Sequence, residues 1–164
     1  VFGFGYFISN LYWITNSLTF DVNFKLIIPF ALILIPLFLG IFYGLVTFLS
    51  SLFNLKNKLS SVLIFSIFFG GIEFLRSFIL GGFPWNLLVF SISNNLPSLQ
   101  ILSYVGTYSL NLLSITIFLL PIIFFHKYKS SAAVIFFCFG LILVVINYSY
   151  GYFNIKNFEK KKIR

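Results

Sequence analysis

Residues 26–55 read LIIPFALILIPLFLGIFYGLVTFLSSLFNL and carry no charged side chain. About 20 apolar residues, rising about 1.5 Å each, cross the hydrocarbon core of a bilayer. The run is long enough for one spanning helix, placed at residues 26–53. Pro29 falls in the first turn, where a missing N–H is tolerated. Pro36 lies inside and predicts a kink. A lipid environment leaves only helices or closed barrels, because every backbone N–H and C=O must be satisfied within the protein. Barrel strands alternate with a dyad period over about 10 residues. This run is continuous and much longer, so it reads as helix.

The rest of the chain extends the same reading. Of its 164 residues, 60% are hydrophobic and 9% charged, and the mean hydropathy is +1.04. Soluble domains carry about 25% charged residues, so there is too little polar surface here to cover a water-soluble globule. The expected fold is an all-α integral membrane domain, residues 1–153, with about five transmembrane helices at 1–14, 26–53, 60–80, 105–125 and 132–150. Tyr12 and Trp13 close the first span as an interfacial aromatic belt would. Residues 15–25 read as a short loop. Residues 154–164 read as a basic lead-in to an extracytoplasmic domain. The chain contains no Met, opens inside an apolar stretch and stops in a basic run, which suggests a piece of a longer protein.

The net charge of +8 is local in origin. Lys56 and Lys58, Lys127 and Lys129, and the run from Lys156 to Arg164 all sit just outside apolar spans. That placement suits anionic headgroups and topology. Nucleic-acid binding would want a basic face on a folded soluble module, and it is excluded as a partner. The lysine-bearing loops 56–58 and 127–129 are two spans apart and share a side. Counting in short loops places them in the cytoplasm, and the tail then lies outside it.

Residues 81–104 differ from the spans around them. Gly81 and Gly82 end a helix, Pro84 prevents its restart, and Trp85 suits an interface. Ser91, Ser93, Asn94, Asn95, Pro97, Ser98 and Gln100 make an easy crossing implausible, so the segment reads as interfacial or re-entrant. Just before it, Glu73 and Arg76 stand at i, i+3 on one helical face. Charges inside a span are expensive and usually paired. One reading is a mutually neutralised pair that positions the helix. The other is a contact from Arg76 to a lipid phosphate.

The ordered blocks Glu73-Phe74-Leu75-Arg76, Gly82-Phe83-Pro84-Trp85, Gln100 and Gly106-Thr107-Tyr108-Ser109-Leu110 resemble the membrane core of the apolipoprotein N-acyltransferase family. Gly3-Phe4-Gly5-Tyr6-Phe7 with Tyr12-Trp13-Ile14 is similar to an earlier span of that family. The resemblance covers essentially the whole chain. It implies an eight-span bacterial inner-membrane enzyme, with seven spans before a periplasmic nitrilase-like domain and one after it. The spans here look like the third to the seventh. It further implies acyl transfer from a phospholipid to the N-terminal cysteine of a lipoprotein, through a thioester formed by a Glu–Lys–Cys set in the nitrilase-like domain. None of that set lies in this chain, so the chain alone is expected to be inactive. The residues the resemblance marks for substrate or structure are Glu73, Arg76, Gly82, Phe83, Pro84, Trp85, Gln100 and Tyr108.

Other features read more plainly. Cys138, in the middle of the fifth span with no base near it in sequence, reads as a small packing residue. His126 reads as a headgroup-level side chain. Asn111 and Asn147 read as bridges between helices. No Gly-rich phosphate loop, metal-ligand cluster or Ser–His–Asp arrangement is present, so neither cofactor nor metal is expected. Two other functions stay open: a small transporter or channel piece, and an anchor fused to a polyprenol-phosphate glycosyltransferase.

Overall fold

The computed structural model describes residues 1–53, 59–79, 81, 86–122 and 131–162. These are helical, with no strand among them. The chain is a helical, multi-pass membrane protein. Three helical stretches are long and apolar enough to cross a bilayer: Val22–Ser51, Leu59–Ile79 and Val134–Phe158. The elements are α1 (Phe2–Leu11), two 3-10 helices (Tyr12–Thr19 and Val22–Ile27), α2 (Ile28–Ser51), and α3 (Leu59–Ile79). A 3-10 turn (Leu88–Ile92), α4 (Leu96–Leu99), α5 (Leu102–Val105), α6 (Thr107–Leu119) and α7 (Ser131–Lys162) follow. Loops 56–58 and 127–129, His126 and Gly82 to Trp85 lie outside the described residues.

The chain divides into two compact units, Val1–Phe53 with Gly71–Asn86, and Asn54–Gly70 with Leu87–Arg164. In the first, α1 packs on α2 through glycine. A Cβ at Gly3 would stand 3.0 Å from Tyr43 Cβ and 3.1 Å from Gly40 Cα, and one at Gly40 would stand 3.2 Å from Phe4 N. Small residues let two backbones approach, as membrane helices commonly do for want of a hydrophobic driving force in lipid. Helix α2 begins with Pro29 in its first turn and runs on through a buried Pro36.

Between α1 and α2 the expected loop is instead two short 3-10 helices. The reason is local. Thr15, Ser17 and Thr19 donate to the carbonyls of Tyr12, Ile14 and Asn16 at 2.6–2.7 Å. Such i−3 back-bonding competes with open loop and favours tight 3-10 turns. Asp21 then accepts the Asn23 N–H at 2.9 Å and caps the second of them.

In the second unit, Leu87, Val89 and Leu110 form a buried cluster with Ile92, Ile101, Leu102, Val105 and Tyr108 packed against it. Leu120 forms another with Leu59, Val62, Phe136 and Phe137. Helix α7 runs past the expected span end at residue 150 to Lys162. Polarity alone does not end a helix. The residues after Tyr150 include a single Gly and no Pro, so nothing in the backbone stops it. Cys138 is exposed on α7 rather than packed within a core.

Candidate functional site

The first unit buries a polar and aromatic cluster in an otherwise apolar setting. Glu73 is 0% exposed and Arg76 1%. Both stand on α3, one turn apart, so one helical face carries both. The Tyr43 hydroxyl, from α2, donates to Glu73 Oε1 at 3.0 Å. Arg76 Cζ lies 5.4 Å from the centroid of the Phe7 ring, from α1, within cation–π range. Phe7 and Tyr43 rings stand 5.0 Å apart, and Tyr6 and Tyr43 rings 5.7 Å apart. The close glycine contact between α1 and α2 is what brings these rings together, since Tyr43 also abuts Gly3.

Tyr6 extends the cluster. Its hydroxyl donates to the Asn86 carbonyl at 3.1 Å. Asn86 holds a left-handed backbone, φ 48°, as does Gly81 at φ 76°. Asn tolerates that region better than most non-glycine residues. The chain therefore leaves α3 at a left-handed glycine and is tied back to α1 at a left-handed asparagine. Charged groups at such burial are held by neighbours that replace their hydration. The cluster is suited to fix three helical segments in one register. It presents no exposed cation to a ligand, because Arg76 is covered.

The second unit holds residues 87–105 by polar contacts to two helices. Asn111 of α6 accepts the Val89 N–H at 3.0 Å, in a buried position. On α7, Asn147 Nδ2 donates to the Ser98 carbonyl at 3.0 Å, and Asn154 Nδ2 donates to Gln100 Oε1 at 3.3 Å. Tyr150 and Tyr104 hydroxyls meet at 3.0 Å. Residues 147, 150, 151 and 154 recur at helical spacing, so they form one stripe of α7. Gly151 sits in that stripe, and a Cβ there would overlap the Pro97 carbonyl. Asn111 and Asn147 thus bridge separate elements, as their polarity within apolar runs suggests.

The residues singled out in sequence divide accordingly. Glu73 and Arg76 meet Tyr43 and Phe7, Gln100 meets Asn154, and Tyr108 packs on the buried cluster of Leu87, Val89 and Leu110. Tyr6 and Phe7 fall in the block Gly3-Phe4-Gly5-Tyr6-Phe7 that carries part of the resemblance, whereas no signal in the sequence marks Tyr43, Asn86 or Gly151. Among the described residues, no three His, Cys, Asp or Glu side chains gather as metal ligands would.

The chain is similar to proteins named apolipoprotein N-acyltransferase. It is 32% identical over 169 residues to that of Rickettsia prowazekii, covering 100% of this chain and 34% of the relative. It is 28% identical over 154 residues to that of Rhizobium rhizogenes, covering 93% of this chain and 28% of the relative. To that of Brucella melitensis it is 34% identical over 121 residues, 73% of this chain and 23% of the relative. The chain thus spans about a quarter to a third of the length of the curated relatives it matches. No solved structure matches it. Residues 1–120 match the family model described as the apolipoprotein N-acyltransferase N-terminal domain, and the chain belongs to that family.

Proposed function

We propose that this chain is the membrane portion of an apolipoprotein N-acyltransferase, an enzyme that moves an acyl chain from a phospholipid to the N-terminal cysteine of a lipoprotein. The family match over residues 1–120 carries the reading. The chain's part is a platform that holds lipidic substrates beside a catalytic domain contributed by sequence outside it. The chemistry available here agrees with that division. A thioester mechanism needs a nucleophilic thiolate and a base to generate it. The only thiol, Cys138, lies on a stretch of α7 built of Ala, Val, Ile, Phe and Leu, with no acid or His within ten residues in sequence.

The finer topology belongs to the same proposal. Five spans cross a bacterial inner membrane, residues 81–104 remain at one interface, and the tail from residue 154 leads to the extracytoplasmic side. Helix α1 with the 3-10 helix after it supplies about 31 Å of contour at about 1.5 and 2.0 Å per residue, close to one bilayer core. Residues 86–105 are broken into one 3-10 turn and two four-residue helices, which suits an interfacial piece. The test is complementation in cells depleted of the lipoprotein N-acylation step. The chain joined to a nitrilase-like domain should rescue growth, and the chain alone should not. Rescue by the chain alone, surviving Cys138→Ala, would overturn the division between platform and chemistry.

A further inference from the structure

We infer that the groove between α4 and the tyrosine face of α7 binds one anionic phospholipid. The groove is open, about 480 Å³ in volume, and lined by Leu96, Pro97, Tyr148, Tyr152, Ile155 and Lys156. That volume is in the range of small-molecule sites, about 300–1,000 Å³. Its lining is graded. Tyr148, Tyr152 and Lys156 recur every fourth residue and form one stripe along α7. Leu96 and Pro97 make the opposite wall, held there by the Asn147 bond to Ser98 and the close approach at Gly151.

Depth along α7 gives the grading its meaning. Counted from Ser131 at about 1.5 Å per residue, Tyr148 stands about 26 Å along, Tyr152 about 32 Å and Lys156 about 38 Å. A hydrocarbon core is about 30 Å thick. The tyrosines therefore stand at the interface, where amphipathic rings are enriched, and Lys156 at the level of the phosphates. Apolar Leu96 offers a surface for acyl methylenes, the tyrosine hydroxyls offer donors to ester and glycerol oxygens, and the ammonium offers a partner for the phosphate. The sequence beyond Ile155 adds Lys160, Lys161 and Lys162 against the single acid Glu159. That balance favours an anionic over a zwitterionic lipid, since each lysine near a membrane surface adds a favourable term. The site is distinct from the buried Glu73 and Arg76 cluster, and it does not depend on the acyltransferase reading.

The experiment uses the chain together with whatever coding sequence adjoins it, in phosphatidylcholine nanodiscs titrated with phosphatidylglycerol. Native mass spectrometry reads the lipid retained. The protein should keep one phosphatidylglycerol in preference to phosphatidylcholine. Lys156→Gln should weaken that preference about fivefold, and Lys156→Arg should keep it. Leu96→Trp fills the groove without changing charge and should also weaken it, which preserves the test if the Gln variant fails to fold. Lys25→Gln, at a residue that lines no part of the groove, should leave it unchanged. No selective retention by the unaltered protein would mean that another segment covers the groove, and would overturn the inference. Undiminished retention in both Lys156→Gln and Leu96→Trp, or an equal loss in Lys25→Gln, would do the same.

Discussion

A methyl group at Gly151 should undock α4 from α7. The added Cβ would fall within the van der Waals envelope of the Pro97 carbonyl oxygen, 2.5 Å from its carbon and 2.8 Å from its Cα. Ordinary carbon contacts lie near 3.5–4.0 Å. All three atoms belong to the backbone, so no side chain can rotate aside, and α4 must retreat by about 1 Å or more. The Asn147 bond to Ser98 at 3.0 Å and the Asn154 bond to Gln100 at 3.3 Å would then pass beyond hydrogen-bond range. Overpacking costs about 1–3 kcal/mol, and each lost bond about 0.5–1.5 kcal/mol. The gain from replacing a helical glycine by alanine, about 1 kcal/mol, offsets only part of this. Gly151→Ala should therefore destabilise the docking by about 2–4 kcal/mol. Gly44→Ala is the matched control, because a Cβ there meets nothing within 4 Å. It should be neutral or stabilising. Hydrogen exchange in nanodiscs reads the effect directly. The amides of Ser98, Gln100, Tyr104 and Gly106, which bond within residues 95–106, should exchange faster in Gly151→Ala and normally in Gly44→Ala. Unchanged exchange with an undiminished melting temperature would refute the close approach on which the argument rests.

Four other perturbations have definite expected outcomes. Tyr43→Phe removes the hydroxyl donor to buried Glu73 and should cost about 1.5–3 kcal/mol, the range for bonds to a charged group; a melting temperature equal to wild type in detergent would count against it. Glu73→Gln and Arg76→Gln should each lower folded yield more than the double change, because an uncompensated buried charge is worse than none; simple additivity would mean the two are not coupled. Asn111→Leu strips the buried Val89 N–H of its acceptor and should cost about 1–3 kcal/mol, seen first as faster exchange at Val89. Cysteines at Asn57 and Ser98, in a Cys138→Ala background, should label from opposite sides of the membrane, and labelling from one side would sink the five-span topology.

What the sequence disclosed follows from how lipid acts on a chain. The helical membrane class was legible because residues 26–55 contain no charge and run too long for a strand. Glu73 and Arg76 were legible because charges stand out in an apolar run. Their partners were not. Tyr43 and Phe7 lie thirty or more residues away among 25 Phe and 9 Tyr, and nothing in composition separates a ring that covers a guanidinium from one that faces lipid. The 3-10 helices at residues 12–19 and 22–27 are not legible in composition, because Ser, Thr and Asn are equally common in open loops, whereas here Thr15, Ser17 and Thr19 bond back to the chain and tighten it. The length of α7 is not legible either, because the polar residues after Tyr150 mark the end of an apolar span and not the end of the helix, which runs on to Lys162.

The contacts that set the packing share a physical origin. Lipid tails are as apolar as Leu, so burying Phe or Ile against another helix gains little over leaving it in the bilayer. Many large hydrophobic side chains of α2 and α7 are exposed for that reason, Phe48, Ile135 and Val145 among them. What distinguishes one packing from another must then be polar bonds and the places where backbones touch. Here those are Tyr6 to Asn86, Tyr43 to Glu73, Asn111 to Val89 and Asn147 to Ser98, with the glycine contacts at Gly3 and Gly151. Several of them end on a backbone carbonyl or amide of the segment after α3. That segment carries Ser91, Ser93, Asn94, Asn95, Ser98 and Gln100, so apolar contact alone would hold it weakly. In the first unit Asn86 is held by a single atom of α1, and in the second unit residues 87–105 are held by single atoms of α6 and α7, so within each unit the placement follows the identity of a few side chains rather than the hydrophobicity of the helices around them.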